Sequence, residues 1–152
     1  LSADRAGAET LKLKAYLLYE SKDFKNSYKT FREVFEKEGQ MDLFYCKIYA
    51  NLLSDMGRKE ELRIFLEKGM EKYSFYAYAV GEYFGEYSQG EREIKRYIVS
   101  YGGNDSLYIA LAYMIYNQKE YSQAESALKL VSYRERYSKD YLDLEERLRE
   151  KI

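Results

Sequence analysis

A chain of 152 residues in which 46% are hydrophobic is one ordinary domain, able to bury roughly 70% of its unfolded surface, and this excludes a disordered segment. Its 25 Lys and Arg balance 26 Asp and Glu with no long run of one sign, which excludes the basic footprint of a nucleic-acid binder. Proline and histidine are both absent: the first points to an all-α chain with short connections, and the second removes the most frequent general base and metal ligand.

Residues 1–8, LSADRAGA, are small and polar and are expected to be a frayed lead-in. A helix is predicted over 9–21, with Leu11, Ala15 and Leu18 on one face. After a turn at Lys22-Asp23, a second helix over 24–38 carries Phe24, Ser27, Phe31 and Val34 and stops at Gly39. Helices over 42–56 and 58–72 follow; Phe44, Cys46, Tyr49, Ala50 and Leu53 mark the first, Gly57 the turn, and Leu62, Phe65, Leu66 and Gly69 the second.

The next pair, over 75–87 and 90–101, is the least regular. Ala77, Gly81 and Phe84 precede a turn placed at Ser88-Gln89-Gly90, then Ile94, Tyr97 and Ile98 follow. Glycine within a helix costs about 1 kcal/mol relative to alanine, so this pair is expected to be the softest. Gly102-Gly103 should end it and Asn104-Asp105-Ser106 should cap the next helix. Helices over 105–117 and 121–133 carry Ala112, Tyr121, Ala124, Leu128 and Val131. A last helix over 138–151 has Tyr141, Leu144, Leu148 and Ile152 on one stripe and charges elsewhere, which suits a covering helix with a wet outer side.

These pairs repeat. Ala15, Ser27, Phe31 and Val34 stand 97 residues before Ala112, Ala124, Leu128 and Val131, and 35 residues carry Ala15, Ser27 and Phe31 onto Ala50, Leu62 and Leu66; in the third pair the period falls to 31 or 32. A small residue in each helix and an apolar stripe on the second resemble the tetratricopeptide repeat, over about Glu9 to Val131. Tyr108 stands where that family has an aromatic residue near the start of the first helix, and Gly39 and Gly102 replace its closing proline. The resemblance implies an all-α, right-handed α-solenoid of about four helix pairs, repeats near 9–39, 42–73, 75–103 and 105–133, with a capping helix over 138–151, so that 9–152 form a single domain.

Residues with chemical potential read mainly as structure. Cys46 lies on an apolar face beside Ala50 with no histidine to activate it, and reads as a buried small hydrophobe. Glu60-Glu61 and Glu145-Glu146 are adjacent on solvated faces and converge on nothing, while Gly81, Gly85 and Gly90 fit no phosphate loop. A binding scaffold is expected, with no catalytic residue, cofactor or metal site.

In the family, first helices line a concave surface reached by residues three before and one after the small position. The resemblance thereby places Lys12, Tyr16, Lys47, Asn51, Tyr78, Glu82, Ile109 and Tyr113 on that surface, with Tyr19 and Tyr116 adding to a tyrosine-lined groove. Lys47 with Asn51 is similar to part of the carboxylate clamp of chaperone-binding members, but Ala79 stands where its second asparagine belongs. The expected partner is a protein or peptide, and bacterial secretion chaperones and cell-envelope assembly factors use similar repeats. Two other functions are a structural subunit that stacks on itself or on a larger complex, whose sign would be an apolar end face, and a helical-repeat RNA binder, which the balanced charge disfavours. No apolar run is long enough to span a bilayer, and Leu1 in place of methionine suggests a trimmed N-terminus, so a soluble cytoplasmic or periplasmic protein is expected.

Overall fold

The computed structural model describes residues 2–38, 42–69 and 74–151, and every element among them is helical. In chain order these are α1 (Ser2–Glu20), α2 (Phe24–Glu38), α3 (Leu43–Asp55), α4 (Lys59–Gly69), α5 (Ser74–Phe84), α6 (Tyr87–Tyr101), α7 (Asp105–Asn117), α8 (Tyr121–Leu128), a 3-10 helix (Tyr133–Tyr137) and α9 (Lys139–Lys151). They group into two compact units, Leu1–Gly69 and Met70–Ile152. In the first, α1 pairs with α2, α3 packs on both, and α4 pairs with α3. In the second, α5 pairs with α6, α7 packs on both and pairs with α8, and α9 covers α7 and α8.

Small residues set these pairings. Ala15, Ala50, Ala112 and Ala124 are fully buried, and the buried Ser27 hydroxyl donates to the Ala15 carbonyl at 2.7 Å, tying α2 to α1. A larger side chain at any of these positions would push two backbones apart.

The turns inside the pairs share one geometry. Lys22, Gly57, Gly85 and Lys119 all adopt the left-handed conformation, with φ of 65°, 72°, 68° and 65°. Around Lys22 the Asp23 N–H donates back to the Leu18 carbonyl at 2.9 Å, and around Gly57 the Arg58 N–H donates to Leu53 at 2.9 Å, so each left-handed residue closes the preceding helix and lets the next begin at once. Five residues after each stands the residue that the second helix buries against the first: Ser27, Leu62, Gly90 and Ala124. Before the turn the spacing differs. Seven residues separate Ala15, Ala50 and Ala112 from their left-handed residues, but only four separate Gly81 from Gly85. Gly81 thus stands three residues, nearly one turn, closer to its reversal than the corresponding alanines do.

The sequence pattern also misplaced the turn of this pair. The chain reverses at Gly85-Glu86, not at Ser88-Gln89-Gly90, and Gly90 lies inside α6. There it faces Gly81: a Cβ on Gly90 would stand 3.1 Å from the Gly81 Cα and 3.0 Å from the Met114 sulfur. Two glycines let α5 and α6 cross closely, and Met114 of α7 fills the depression above them.

Other boundaries also depart from the sequence pattern. Residues 2–8, expected as a lead-in, are drawn into α1, where Ala8 is buried. Helix α8 stops at Leu128, five residues early, because the chain tightens into i to i+3 bonds, with Val131 N–H donating to Leu128 O at 3.1 Å. The Arg136 guanidinium then donates to the carbonyls of Val131 and Lys129, both at 3.1 Å, and Val131 stays buried although it is no longer helical. Gly102, with φ of 94°, and Asn104, whose side chain accepts the Leu107 N–H at 2.9 Å, end α6 and cap α7 as predicted. Gly39, residues 70–73 and Ile152 lie outside the described residues.

Candidate binding surface

The residues expected to line a groove belong to α1, α3, α5 and α7, and those of α1 have neighbours on α3. In the first unit Lys12 is turned inward and buried; its ammonium contacts Glu38 at 2.7 Å and Glu9 at 2.9 Å and lies 6.0 Å from the Tyr45 ring. Burial alone would lower its pKa, but the hydrogen bonds to Glu38 and Glu9 outweigh it and hold the pKa above the usual lysine value. Lys12 is thus part of the join between α1, α2 and α3 and offers no free charge to a ligand.

Tyr16 is half-buried with its ring 5.4 Å from that of Phe44, and Phe44 itself is 54% exposed. Tyr19 donates to Asp55 at 3.0 Å and stacks on Phe24 at 5.7 Å, closing the α1–α2 hairpin; burial and then the Asp55 carboxylate push its hydroxyl up to about 12. Lys47 and Asn51 are half-buried on α3, and both already interact within the chain.

One acidic residue does more than its sequence position suggests. Glu60 is exposed, but half-buried Glu61 accepts from Tyr28 at 2.5 Å, Arg32 at 3.2 Å and Arg58 at 3.4 Å, and the Arg58 guanidinium lies 4.4 Å from the Tyr28 ring. The expectation that Glu60-Glu61 converge on nothing is therefore corrected for Glu61. Only its i,i+3 partner Arg58 was visible in the sequence; Tyr28 lies 33 residues away.

In the second unit Tyr78 is half-buried and meets Phe75 edge-on at 5.5 Å; burial, then the Glu82 charge, raises its pKa. Glu82 is also raised, by loss of solvent and by Asp140 at the start of α9. Ile109 packs on the core. Tyr113 is 38% exposed with the Arg147 guanidinium 6.0 Å from its ring, and Tyr116 meets Tyr121 at 5.4 Å, the α7–α8 counterpart of Tyr19 and Phe24. Helix α9 thus adds Asp140 and Arg147 beside Glu82 and Tyr113, which sequence reasoning missed. The signal was present: Asp140, Asp143 and Arg147 recur at three and four residues along one face, with Asp143 and Arg147 ion-paired at 3.1 Å.

The tyrosines therefore divide. Tyr19 and Tyr116 close hairpins, Tyr78 is packed, and Tyr16 with Phe44 and Tyr113 with Arg147 keep exposed ring surface. Cys46 is buried, and among the described residues no cluster of acidic, cysteine or histidine side chains could hold a metal ion. No helix among them is long and apolar enough to cross a membrane. No family model matches the chain, and no curated protein or solved structure matches it.

Proposed function

We propose that the chain is a non-catalytic scaffold of stacked tetratricopeptide-like helix pairs that binds a protein or peptide segment through the faces of its first helices. The observation that carries this reading is the ring surface left open there: Phe44, 54% exposed, beside Tyr16 in the first unit. A phenylalanine held half in water against a rigid tyrosine supplies contact area that a partner gains at little entropic cost. In the second unit Tyr113 plays the same part beside the Arg147 cation, which pairs with Asp143, a setting suited to a segment with an apolar anchor and polar flanks. The buried Lys12 and the interactions already made by Lys47 and Asn51 argue against a carboxylate clamp as the means of binding.

The test replaces Phe44 and Tyr113, one at a time, by the photo-crosslinking analogue benzoylphenylalanine, captures the partner in the source cell, and identifies the crosslinked segment by mass spectrometry. A synthetic peptide of that segment should bind the full chain, and Phe44→Ala or Tyr113→Ala should weaken it tenfold or more, about 1.4 kcal/mol. Full affinity in both folded variants would remove this surface from consideration.

A further inference from the structure

No side chain of the 3-10 segment Tyr133–Tyr137 is buried, and its two tyrosines are 79% and 83% exposed. The segment is internal, joined to α8 before it and to α9 after it, and it is pinned. The Ser132 N–H and hydroxyl both donate to the Asp105 carboxylate, at 3.0 and 2.7 Å, and Arg136, bonded to the carbonyls of Val131 and Lys129, holds its guanidinium 4.3 Å from the Tyr133 ring. The fold therefore displays these rings in a fixed place. The Asp105–Ser132 bonds also set the segment at the start of α7, only three residues after α6 ends at Tyr101. The ends of α6 and α8 and the starts of α7 and α9 thus share one end of the second unit, which carries exposed Tyr101, Leu130, Tyr133 and Tyr137. Charge is concentrated there as well. Over residues 129–139 the bases Lys129, Arg134, Arg136 and Lys139 stand against the single acid Glu135, although the chain as a whole is net −1, so the remainder is acidic. Arg134 and Lys139 are exposed, and Lys129 meets Glu125 across an exposed turn at 3.5 Å. Of the neighbouring acids, Asp105 is engaged by Ser132, and Asp140 lies beside Glu82.

We infer that this end of the second unit docks on an anionic lipid bilayer, with Tyr133 and Tyr137 entering the headgroup layer, Leu130 reaching the acyl boundary, and Arg134 and Lys139 meeting the lipid phosphates. Tyrosine suits that layer because its ring is apolar while its hydroxyl stays wet, and bases beside it are drawn by the negative surface potential. Shape decides against a peptide. Rings this exposed stand on a convex end, which cannot enclose a chain segment, whereas a planar and deformable surface meets several projecting side chains at once. Nucleic acid is disfavoured by Leu130, which offers nothing to a base or a phosphate, and by Glu135 among the bases. A second copy related by a two-fold axis would bring the same bases together. The inference uses neither Phe44 nor Tyr113 and does not rest on the binding surface proposed above.

The chain contains no tryptophan, so a single one introduced by substitution reports its own surroundings. The full chain carrying Tyr137→Trp is titrated with vesicles of phosphatidylcholine alone and with vesicles containing about one third phosphatidylglycerol. Its emission should shift to the blue only with the anionic vesicles, should be quenched by brominated acyl chains, and should lose the shift as salt is added. Phe44→Trp should stay unquenched. Co-sedimentation with the anionic vesicles should weaken tenfold or more in Tyr133→Ser combined with Tyr137→Ser, and also in Arg134→Gln combined with Lys139→Gln, since each base near such a surface is worth about fivefold. These side chains are exposed, so the variants should keep the helical circular-dichroism spectrum. The proposal is overturned if the chain stays in the supernatant, if neutral vesicles bind it equally, if both double variants bind as well as the parent, or if Phe44→Trp is quenched and Tyr137→Trp is not. Tighter binding to polyglutamate or to single-stranded RNA than to the vesicles, or a dimer of the chain alone that Tyr137→Ser dissociates, overturns it in favour of an acidic peptide, a nucleic acid or a second copy.

Discussion

A hydroxyl at Ser27 stands in a fully buried place where the equivalent residues are leucine, glycine and alanine. Its 2.7 Å bond to the Ala15 carbonyl offsets the cost of burying it, so Ser27→Ala should lose only about 1 kcal/mol in urea unfolding, whereas Ala112→Leu, which must force two backbones apart, should lose about 1 to 3. Tyrosines separate by burial in the same way. Tyr78→Ala removes a ring packed on Phe75 and should lower the melting temperature clearly, and Tyr113→Ala, cut from a partly exposed site, should lower it far less. Titration supplies a further check. Burial pushes both Tyr49 and Tyr19 up to about 12, against roughly 10 in an unfolded chain. The unfolded state then releases protons first as pH rises, so the stability these groups contribute is complete below about pH 10 and is lost between there and about 12. Urea midpoints measured from pH 9 to 12 should fall over that window, and Tyr19→Phe should flatten the fall.

At the scale of the element, the four turns show what was legible in the sequence and what was not. Periodicity placed the helices, and the small residues Ala15, Ala50, Gly81 and Ala112 marked their contacts, because a 3.6-residue repeat of apolar side chains survives in a single sequence. The turn of the third pair was not legible. Gly85 and Gly90 are both plausible reversals by composition, and only the left-handed backbone at Gly85 with the close approach of Gly90 to Gly81 separates them. Among the expected binding residues, the side of the helix was readable but the depth was not: Lys12 looked like a surface cation because its partner Glu38 lies on another helix. Each glycine now carries its own expectation. Gly90→Ala should destabilise by about 1 to 3 kcal/mol, since its methyl would press on backbone that cannot move aside. Lys22→Gly and Lys119→Gly should do the reverse, because a left-handed side chain costs about 1 to 2 kcal/mol and glycine returns part of that as added freedom when unfolded. A thermal melt of each single variant decides the sign.

For the molecule as a whole, α9 has the larger structural role. It buries Tyr141, Leu144 and Leu148 on α7 and α8, so a chain ending at Ser138 should lose several kcal/mol, since each fully buried leucine is worth about 1.5 to 3, and should bind the dye ANS through the apolar surface left bare. The crossing beneath α9 is thereby closed to any other helix. An outside helix can reach α7 and α8 there only by displacing α9, which makes the uncovered state one of partial unfolding.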